Sequence, residues 1–354
     1  MDQPRIVRCP ICIDTFPWPD AERYEYSGGD YRPVTIPAGA DPLKRADLLR
    51  FTYVRCPNPS EDMHEHYLPA GLGSFGPGLV VGLVGASATG KSHLLAAIVH
   101  EVLRGGLQPH GLSVTPVDPE QHAQYLGRVK GLFVRDGRPL PMTTAGEPGY
   151  AASMLVTSAV GTRPVTFFDV AGGDLEGTGK TARFLAGVGA LLFVVDPGPA
   201  LGQNGPGPKT LRNQTADSAF TAVFSRLRHD YARYLEIPTA VAVTKSDRLR
   251  FQPPVDRWLH RESLVPLDPD HVRQESRDVY AFLHRHGAYS WLAPFQQARR
   301  CTLHFVSATG GELVDGRYPR GASPRRVLEP LLALLAMNGM LGSSEADHVG
   351  VWRR

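Results

Sequence analysis

The sequence predicts an α/β fold in which buried strands alternate with helices, preceded by a small cysteine-bearing lobe. Two observations predict it. Apolar runs of strand length, rich in β-branched residues, recur at positions 79–84, 164–168, 190–195, 239–243 and 300–306. Such unbroken runs are the mark of strands covered on both faces. Residues 1–77 differ in kind, with many Pro and aromatic residues and three of the four cysteines.

Within that N-terminal stretch, Cys9-Pro10-Ile11-Cys12 is a C-x-x-C turn. Cys56-Pro57-Asn58-Pro59 begins like a second one, with Pro59 where its other cysteine would stand. A structural zinc takes four nitrogen or sulfur ligands in a tetrahedron. Cys9, Cys12, Cys56 and one histidine would supply them. His66 is preferred over His64 because it directly precedes the run Tyr67-Leu68-Pro69 that turns toward the main domain. The zinc would hold together a lobe with little core of its own; the alternative is a lobe without metal, in which Cys56 is a small core residue. Arg5, Arg8, Arg45 and Arg50 are scattered and form no basic-aromatic patch, so nucleic acid is not an expected partner.

Residues 70–78 are Gly-rich and read as a linker. The apolar run 79–84 then enters Gly85-Ala86-Ser87-Ala88-Thr89-Gly90-Lys91-Ser92, a G-x-x-x-x-G-K-S loop. Leu94, Leu95, Ile98 and Val102 follow at helical spacing, so 91–104 is a helix. Strand, glycine turn and helix start gather backbone N–H groups and the positive end of a helix dipole around one point, which attracts phosphate oxygens. Lys91 would reach the β- and γ-phosphates and the Ser92 hydroxyl would ligate Mg²⁺. Residues 119–130 are a short helix or irregular, and 135–149 carry Pro, Gly and the pair Thr143-Thr144. Residues 150–160 and 164–168 are strands joined so tightly that they must be antiparallel neighbours. The second of them delivers Asp169-Val170-Ala171-Gly172, a carboxylate able to hold Mg²⁺ through water and a glycine whose N–H can approach a γ-phosphate.

Residues 179–187 make a poor helix, 198–209 a Pro/Gly insertion, and 211–235 a long amphipathic helix. The run 239–243 delivers Thr244-Lys245-Ser246-Asp247. A carboxylate at Asp247 can accept from guanine N1–H and N2–H₂ together, a donor pair adenine lacks. Lys245 can lay its aliphatic stem along the purine. A helix is expected from about 268, and the run 300–306, with Cys301 in the core, ends at Ser307-Ala308-Thr309. Backbone N–H groups there could meet guanine O6. Residues 324–337 read as an amphipathic closing helix, and the tail from 342 as disordered.

The ordered set GASATGKS, DVAG, TKSD and SAT resembles a Ras-like P-loop GTPase domain of the translation-factor-related class, over about residues 79–340. Together with the zinc-ribbon-like lobe and the long insertions it is also similar to the bacterial double-GTPase kind. The resemblance implies three units: a zinc-ribbon-like lobe at 1–77, a G domain at 78–340 and a tail at 341–354. It implies a mostly parallel six-stranded sheet with one antiparallel pair and helices on both faces. It assigns Gly85, Ala86, Ser87, Ala88, Thr89, Gly90 and Lys91 to the phosphates, and Ser92 and Asp169 to Mg²⁺. The Gly172 amide would sense the γ-phosphate. Thr244, Lys245 and Asp247, with Ser307 and Ala308, would bind the base. A switch threonine closing over Mg²⁺ is expected at Thr144, with Thr143 the rival. Gly173 stands where many relatives place a water-orienting glutamine, so Asp174 or Glu176 would have to substitute. Ser87 and Ala88 take positions relatives often fill with glycine. Both departures imply slow hydrolysis, or a catalytic group supplied by a protein effector or activator.

The chain of 354 residues, 42% hydrophobic, can bury a large core, and its net charge of +3 argues for no polyanionic partner. No run approaches the ~18 apolar residues of a membrane span, and four cysteines are too few for a disulfide scaffold. A soluble cytoplasmic protein is expected. The competing readings are an assembly or signalling module with negligible hydrolysis, and an ATPase.

Overall fold

A computed structural model describes residues 5–19, 21–35, 37, 39, 41–44, 51–61, 63–141, 150–169, 185, 187–201, 218–227, 234–342 and 346–352. The N-terminal region is built from short strands. β1 (Ile6–Arg8) and β2 (Thr15–Pro17) pair antiparallel on either side of the Cys9/Cys12 turn. β3 (Arg23–Ser27), β4 (Asp30–Val34), β5 (Thr52–Arg55) and β6 (Tyr67–Pro69) form a four-stranded antiparallel sheet in the order β4-β3-β5-β6. Leu68 sinks with Val7, Phe16, Leu72 and three cysteines into a small core. Tyr24 stands opposite Tyr53, and Tyr26 opposite Tyr31. The stretch expected to be a linker contains a 3-10 turn, Ala70–Ser74, where a Cβ on Gly73 would collide with the Trp18 ring.

The apolar runs assemble into a seven-stranded, mostly parallel sheet. β7 (Leu79–Val84) leads into α1 (Lys91–Leu103); β8 (Ser113–Pro116) and α2 (Pro119–Phe133) follow. β9 (Tyr150–Ser158) and β10 (Gly161–Asp169) form the predicted hairpin. Then come β11 (Ala190–Val195), α3 (Ser218–Leu227), β12 (Thr239–Val243), α4 (Val255–Leu259), α5 (Pro269–Arg285), α6 (Ala293–Gln297), β13 (Cys301–Phe305) and α7 (Glu329–Met337). The order is β13-β12-β11-β7-β10-β9-β8, with β13 to β10 parallel and β9 antiparallel to both its neighbours.

The period-2 alternation of each strand feeds two cores. Leu79, Val81 and Leu83 face a core shared with α1, α2 and α7. Val80 and Val84 face the other, shared with α3, α4 and α5. Helices therefore cover both faces. No helix among the described residues is long and apolar enough to cross a membrane.

Four expectations change. The sheet has seven strands rather than six, because Ser113–Pro116 adds β8 beside β9; four residues of mixed polarity give no periodic signal. The undecided stretch after residue 118 is a full helix. Asp118 Oδ1 caps it, accepting from the Glu120 and Gln121 N–H groups at 3.0 and 3.2 Å, and Pro119 occupies the first turn. The closing helix starts at Glu329, not 324, because Arg325 and Ser307 exchange backbone hydrogen bonds of 2.8 and 3.0 Å. All nine of its residues are buried, so it is apolar on every side rather than amphipathic. The tail is ordered over 346–352. The Arg300 guanidinium donates to the carbonyls of Met337, Ala346, Asp347 and Val349, and Trp352 Nε1 donates to the Cys301 carbonyl.

Candidate functional site

The order of the parallel strands reverses at β7, which lies between β10 and β11. In open α/β sheets the crevice beyond the carboxyl ends of the strands at such a point is where ligands bind. Here that crevice is a cavity of about 600 Å³. Ser87, Ala88, Gly90, Lys91 and Ser92 line it from the β7–α1 loop; Thr244, Lys245 and Asp247 line it from the end of β12, and Ala308 from the end of β13. Lys91 and Asp247 thus face one common space.

The β7–α1 loop is held in shape by its own chemistry. A Cβ on Gly85 would collide with the Val194 carbonyl, and Gly90 sits at φ +96°. Ala88 adopts φ +63°, a left-handed conformation an alanine takes only under constraint. The constraint is visible: Lys245 Nζ donates to the Ala88 carbonyl at 2.9 Å and to Asp196 Oδ2 at 2.5 Å. Thr244 Oγ1 donates to the carbonyls of Thr89 (2.7 Å) and Val195 (2.8 Å), tying β12 to the loop. Lys91 is buried and curls over the loop, its Nζ donating to the carbonyls of Gly85 (2.8 Å) and Ala86 (3.0 Å). Gly85, Ala86 and Thr89 do not line the cavity; they form the loop's frame, with Thr89 Oγ1 donating to the Ala86 carbonyl at 3.0 Å.

Asp169 ends β10 beside this loop. The Ser92 hydroxyl donates to its Oδ2, while Oδ1 is buried with no hydrogen-bond partner among the described residues. A buried carboxylate oxygen left unpaired is costly, and a hydroxyl beside it completes an oxygen pair of the type hard divalent cations take. At the far end, Asp247 is buried and its Oδ1 accepts from Ser307 Oγ at 2.5 Å. The Ser307 N–H is bound to the Arg325 carbonyl at 3.0 Å, so it is not free to meet a base, and Ser307 does not line the cavity. Its place is behind Asp247, fixing that carboxylate. Thr143, Thr144, Gly172, Gly173, Asp174 and Glu176 lie outside the described residues.

Three contributors escaped sequence reading. Asp196 was legible only as a strand end. Beyond Thr309, the loop after β13 supplies Gly311, Glu312, Leu313 and Tyr318 to the cavity wall, and Arg248 pairs with Glu312 at 3.1 Å across its rim. His93 Nε2 accepts from the Leu140 N–H at 3.1 Å, anchoring the wall segment Pro139, Leu140 and Pro141. Burial, reinforced by Lys245, lowers the His93 pKa from its ordinary 6.5. The unfolded chain therefore binds the proton more readily, and stability contributed by neutral His93 is complete above 6.5 and falls as pH drops below it. Protection of the Leu140 amide against hydrogen exchange should hold above pH 6.5 and fall progressively as pH drops below it. A His93→Gln variant, which keeps an acceptor, should show no such loss.

The second constellation is in the N-terminal region. One ligand atom from each of Cys9, Cys12, Cys56 and His66 lies within 4.8 Å of the others, so the group could hold a metal ion. Cys9 Sγ is 3.3 Å from His66 Nε2, and Cys12 Sγ is 3.8 Å from Cys56 Sγ. His66 Nδ1 lies 2.8 Å from the His64 carbonyl and donates to it, which leaves Nε2 as the ligating nitrogen. His64 contributes a carbonyl rather than a ligand. The N–H groups of Ile11 (3.2 Å) and Cys12 (3.4 Å) point at Cys9 Sγ, and that of Asn58 at Cys56 Sγ (3.4 Å), the pattern that favours thiolates. Burial pushes the Cys9 thiol up, while hydrogen bonds from Cys12 and Cys9 pull Cys56 down to about 4. Cys301 stands apart, wholly buried in the main sheet.

No protein-family profile matches the chain, and no curated protein matches it.

Proposed function

We propose that the protein is a guanine-nucleotide switch on a P-loop G domain, hydrolysing GTP slowly or with a partner's help, and that zinc staples its N-terminal lobe. The observation that carries this reading is that Lys91 and Asp247 line one cavity of about 600 Å³ at the carboxyl ends of the parallel strands. Lys91 would exchange its two loop carbonyls for phosphate oxygens, and the loop N–H groups would cradle the phosphates. Ser92 and Asp169 would hold Mg²⁺, which when bound offsets charge developing on the transferred phosphoryl group. Asp247, steadied by Ser307, would accept from the guanine edge, and Lys245 would cover the ring. Thr144 and Gly172 keep their proposed roles at the γ-phosphate. Cys9, Cys12, Cys56 and His66 would bind zinc with no further ligand, as closed structural sites do.

Gly173 favours a second reading, a nucleotide-dependent assembly module with negligible hydrolysis. Single-turnover phosphate release, with and without partners, separates the two.

The primary test is nucleotide and metal analysis of the purified chain, with Lys91→Ala alongside. Co-purified GDP or GTP and one zinc per chain are expected. The variant should bind GTP weaker by about 10²-fold or more, the loss of charge-assisted phosphate contacts. Guanine nucleotide absent from the wild type, and no weakening in the variant, would defeat the reading.

A further inference from the structure

We infer that the Cys9/Cys12 turn is a positioning clamp on Gly187, through which metal in the Cys₃His cluster tunes discrimination between nucleoside triphosphate and diphosphate. The regulatory half rests on the nucleotide reading above; the clamp itself does not.

The two residues that bracket the turn converge on one glycine. Arg8 Nη1 donates to the Gly187 carbonyl at 2.8 Å. From the other side Ile13 packs so closely that a Cβ on Gly187 would collide with its Cγ2. Ile13 is 8% exposed and belongs to the apolar cluster of Val80, Phe168, Leu185 and Val188, in the main sheet rather than the N-terminal core. Its φ is +67°, where a β-branched residue sits only when its surroundings force it. The force comes from the turn: Ile13 N–H donates to the Cys9 carbonyl at 3.1 Å, and Cys9 N–H to the Asp14 carbonyl at 2.9 Å. A cation joining Cys9 and Cys12 would lock that turn, and with it the strained isoleucine that reaches the main domain.

Gly187 holds a particular place along the chain. Val188 and Gly189 follow it, with the Gly189 N–H donating to the Val80 carbonyl on β7 at 2.9 Å. β11 then runs to Asp196, the partner of Lys245. Upstream, β10 ends at Asp169 beside the β7–α1 loop, and Gly172 belongs to the stretch between. The clamp therefore grips the limb by which the proposed γ-phosphate-responding stretch returns to the sheet. How firmly a limb is anchored biases which of two arrangements a ligand can select.

The test uses the full chain, wild type and Ile13→Ala, with and without a zinc-selective chelator in excess Mg²⁺. Opening the clamp either way should raise hydrogen exchange at Val188 and Gly189 by about ten-fold. GDP affinity should hold within about two-fold, while the GTP-to-GDP affinity ratio shifts by about five-fold or more. Arg8→Gln, which keeps the turn and removes one grip, serves if Ile13→Ala does not fold. Unchanged exchange would overturn the clamp, and raised exchange with an unchanged ratio would overturn its regulatory role. A wild type that binds no guanine nucleotide would defeat the cavity reading, and the exchange measurement would still decide the clamp.

Discussion

Asp247→Asn is expected to reverse base preference, weakening GTP by about 10³-fold while xanthosine triphosphate becomes the better ligand. The size of the effect comes from how the carboxylate is held. Asp247 is buried, and the Ser307 hydroxyl fixes one of its oxygens. The other can accept without reorganisation, so guanine N1–H and N2–H₂ would meet a preset acceptor. An amide turns an –NH₂ toward those donors, leaving polar groups facing each other unpaired in a desolvated site, which costs several times an ordinary hydrogen bond. Xanthine replaces the exocyclic amine by an oxygen and accepts what asparagine offers. Asn matches Asp in volume, so the fold should be undisturbed. Displacement of a fluorescent guanine nucleotide by GTP, ATP and the xanthosine analogue measures all three. Equal wild-type affinity for ATP and GTP would remove the guanine assignment, and an unchanged ratio in the variant would remove Asp247 from it.

Glu275→Ala should be among the most damaging substitutions away from the cavity, costing about 3–5 kcal/mol. Glu275 projects from α5 into the interior at 1% exposure. Its Oε2 accepts from His304 Nδ1 at 2.8 Å and from Arg326 Nη2 at 2.9 Å, and its Oε1 from the Phe305 N–H at 3.2 Å. Burial alone would push the carboxyl up, but Arg326 and His304 outweigh it and hold the pKa below its ordinary 4.5. Its stabilisation is therefore complete above that value and lost as pH falls through the depressed one. Removing the carboxylate leaves Arg326, itself buried, with Glu329 at 3.2 Å as its remaining acid. For a domain whose total stability is about 5–15 kcal/mol, the loss threatens folding at growth temperature. Denaturant titration measures it. A companion Glu275→Leu/Arg326→Met/Glu329→Gln variant should lose less than the single. No acid or guanidinium of the Glu275–Arg326–Glu329 group is then left unpaired, and the amide brought in by Glu329→Gln still accepts from Ser263. A single variant within about 1 kcal/mol of wild type would mean the charges are relieved by water.

The parallel strands were legible because they are buried on both sides, so β7, β11 and β12 carry no polar face to break the run. The β9–β10 hairpin was legible from its short connection. The Cys₃His group was legible because ligand chemistry restricts which residues serve, although only the His64 carbonyl explains why His66 turns Nε2 inward. What sequence did not disclose is contributed at long range. β8 is too short to show a period. The strands of the small N-terminal sheet are stabilised by tyrosine pairs across strands, not by apolar alternation. Asp196 and Ser307 act by orienting Lys245 and Asp247, and no spacing rule links such partners. The run 324–337 reads as amphipathic because it takes in Arg325 and Arg326. Arg325 is instead bridged to Ser307, and Arg326 turns inward to Glu275.

The tail that Arg300 draws back has a consequence for self-association. β13 is the last strand of its sheet, and such a border offers unpaired N–H and C=O groups to any other extended chain. Residues 350 and 351 occupy the start of that border, Cys301 N–H donating to the Gly350 carbonyl at 3.1 Å and Arg300 bridging to Val351. Further along, Ser276 and Glu275 of α5 take the outward N–H groups of Leu303 (2.9 Å) and Phe305 (3.2 Å), so a helix and residues 350 and 351 together close the border. Changes that dislodge residues 350 and 351 would bare only its first residues, at Cys301.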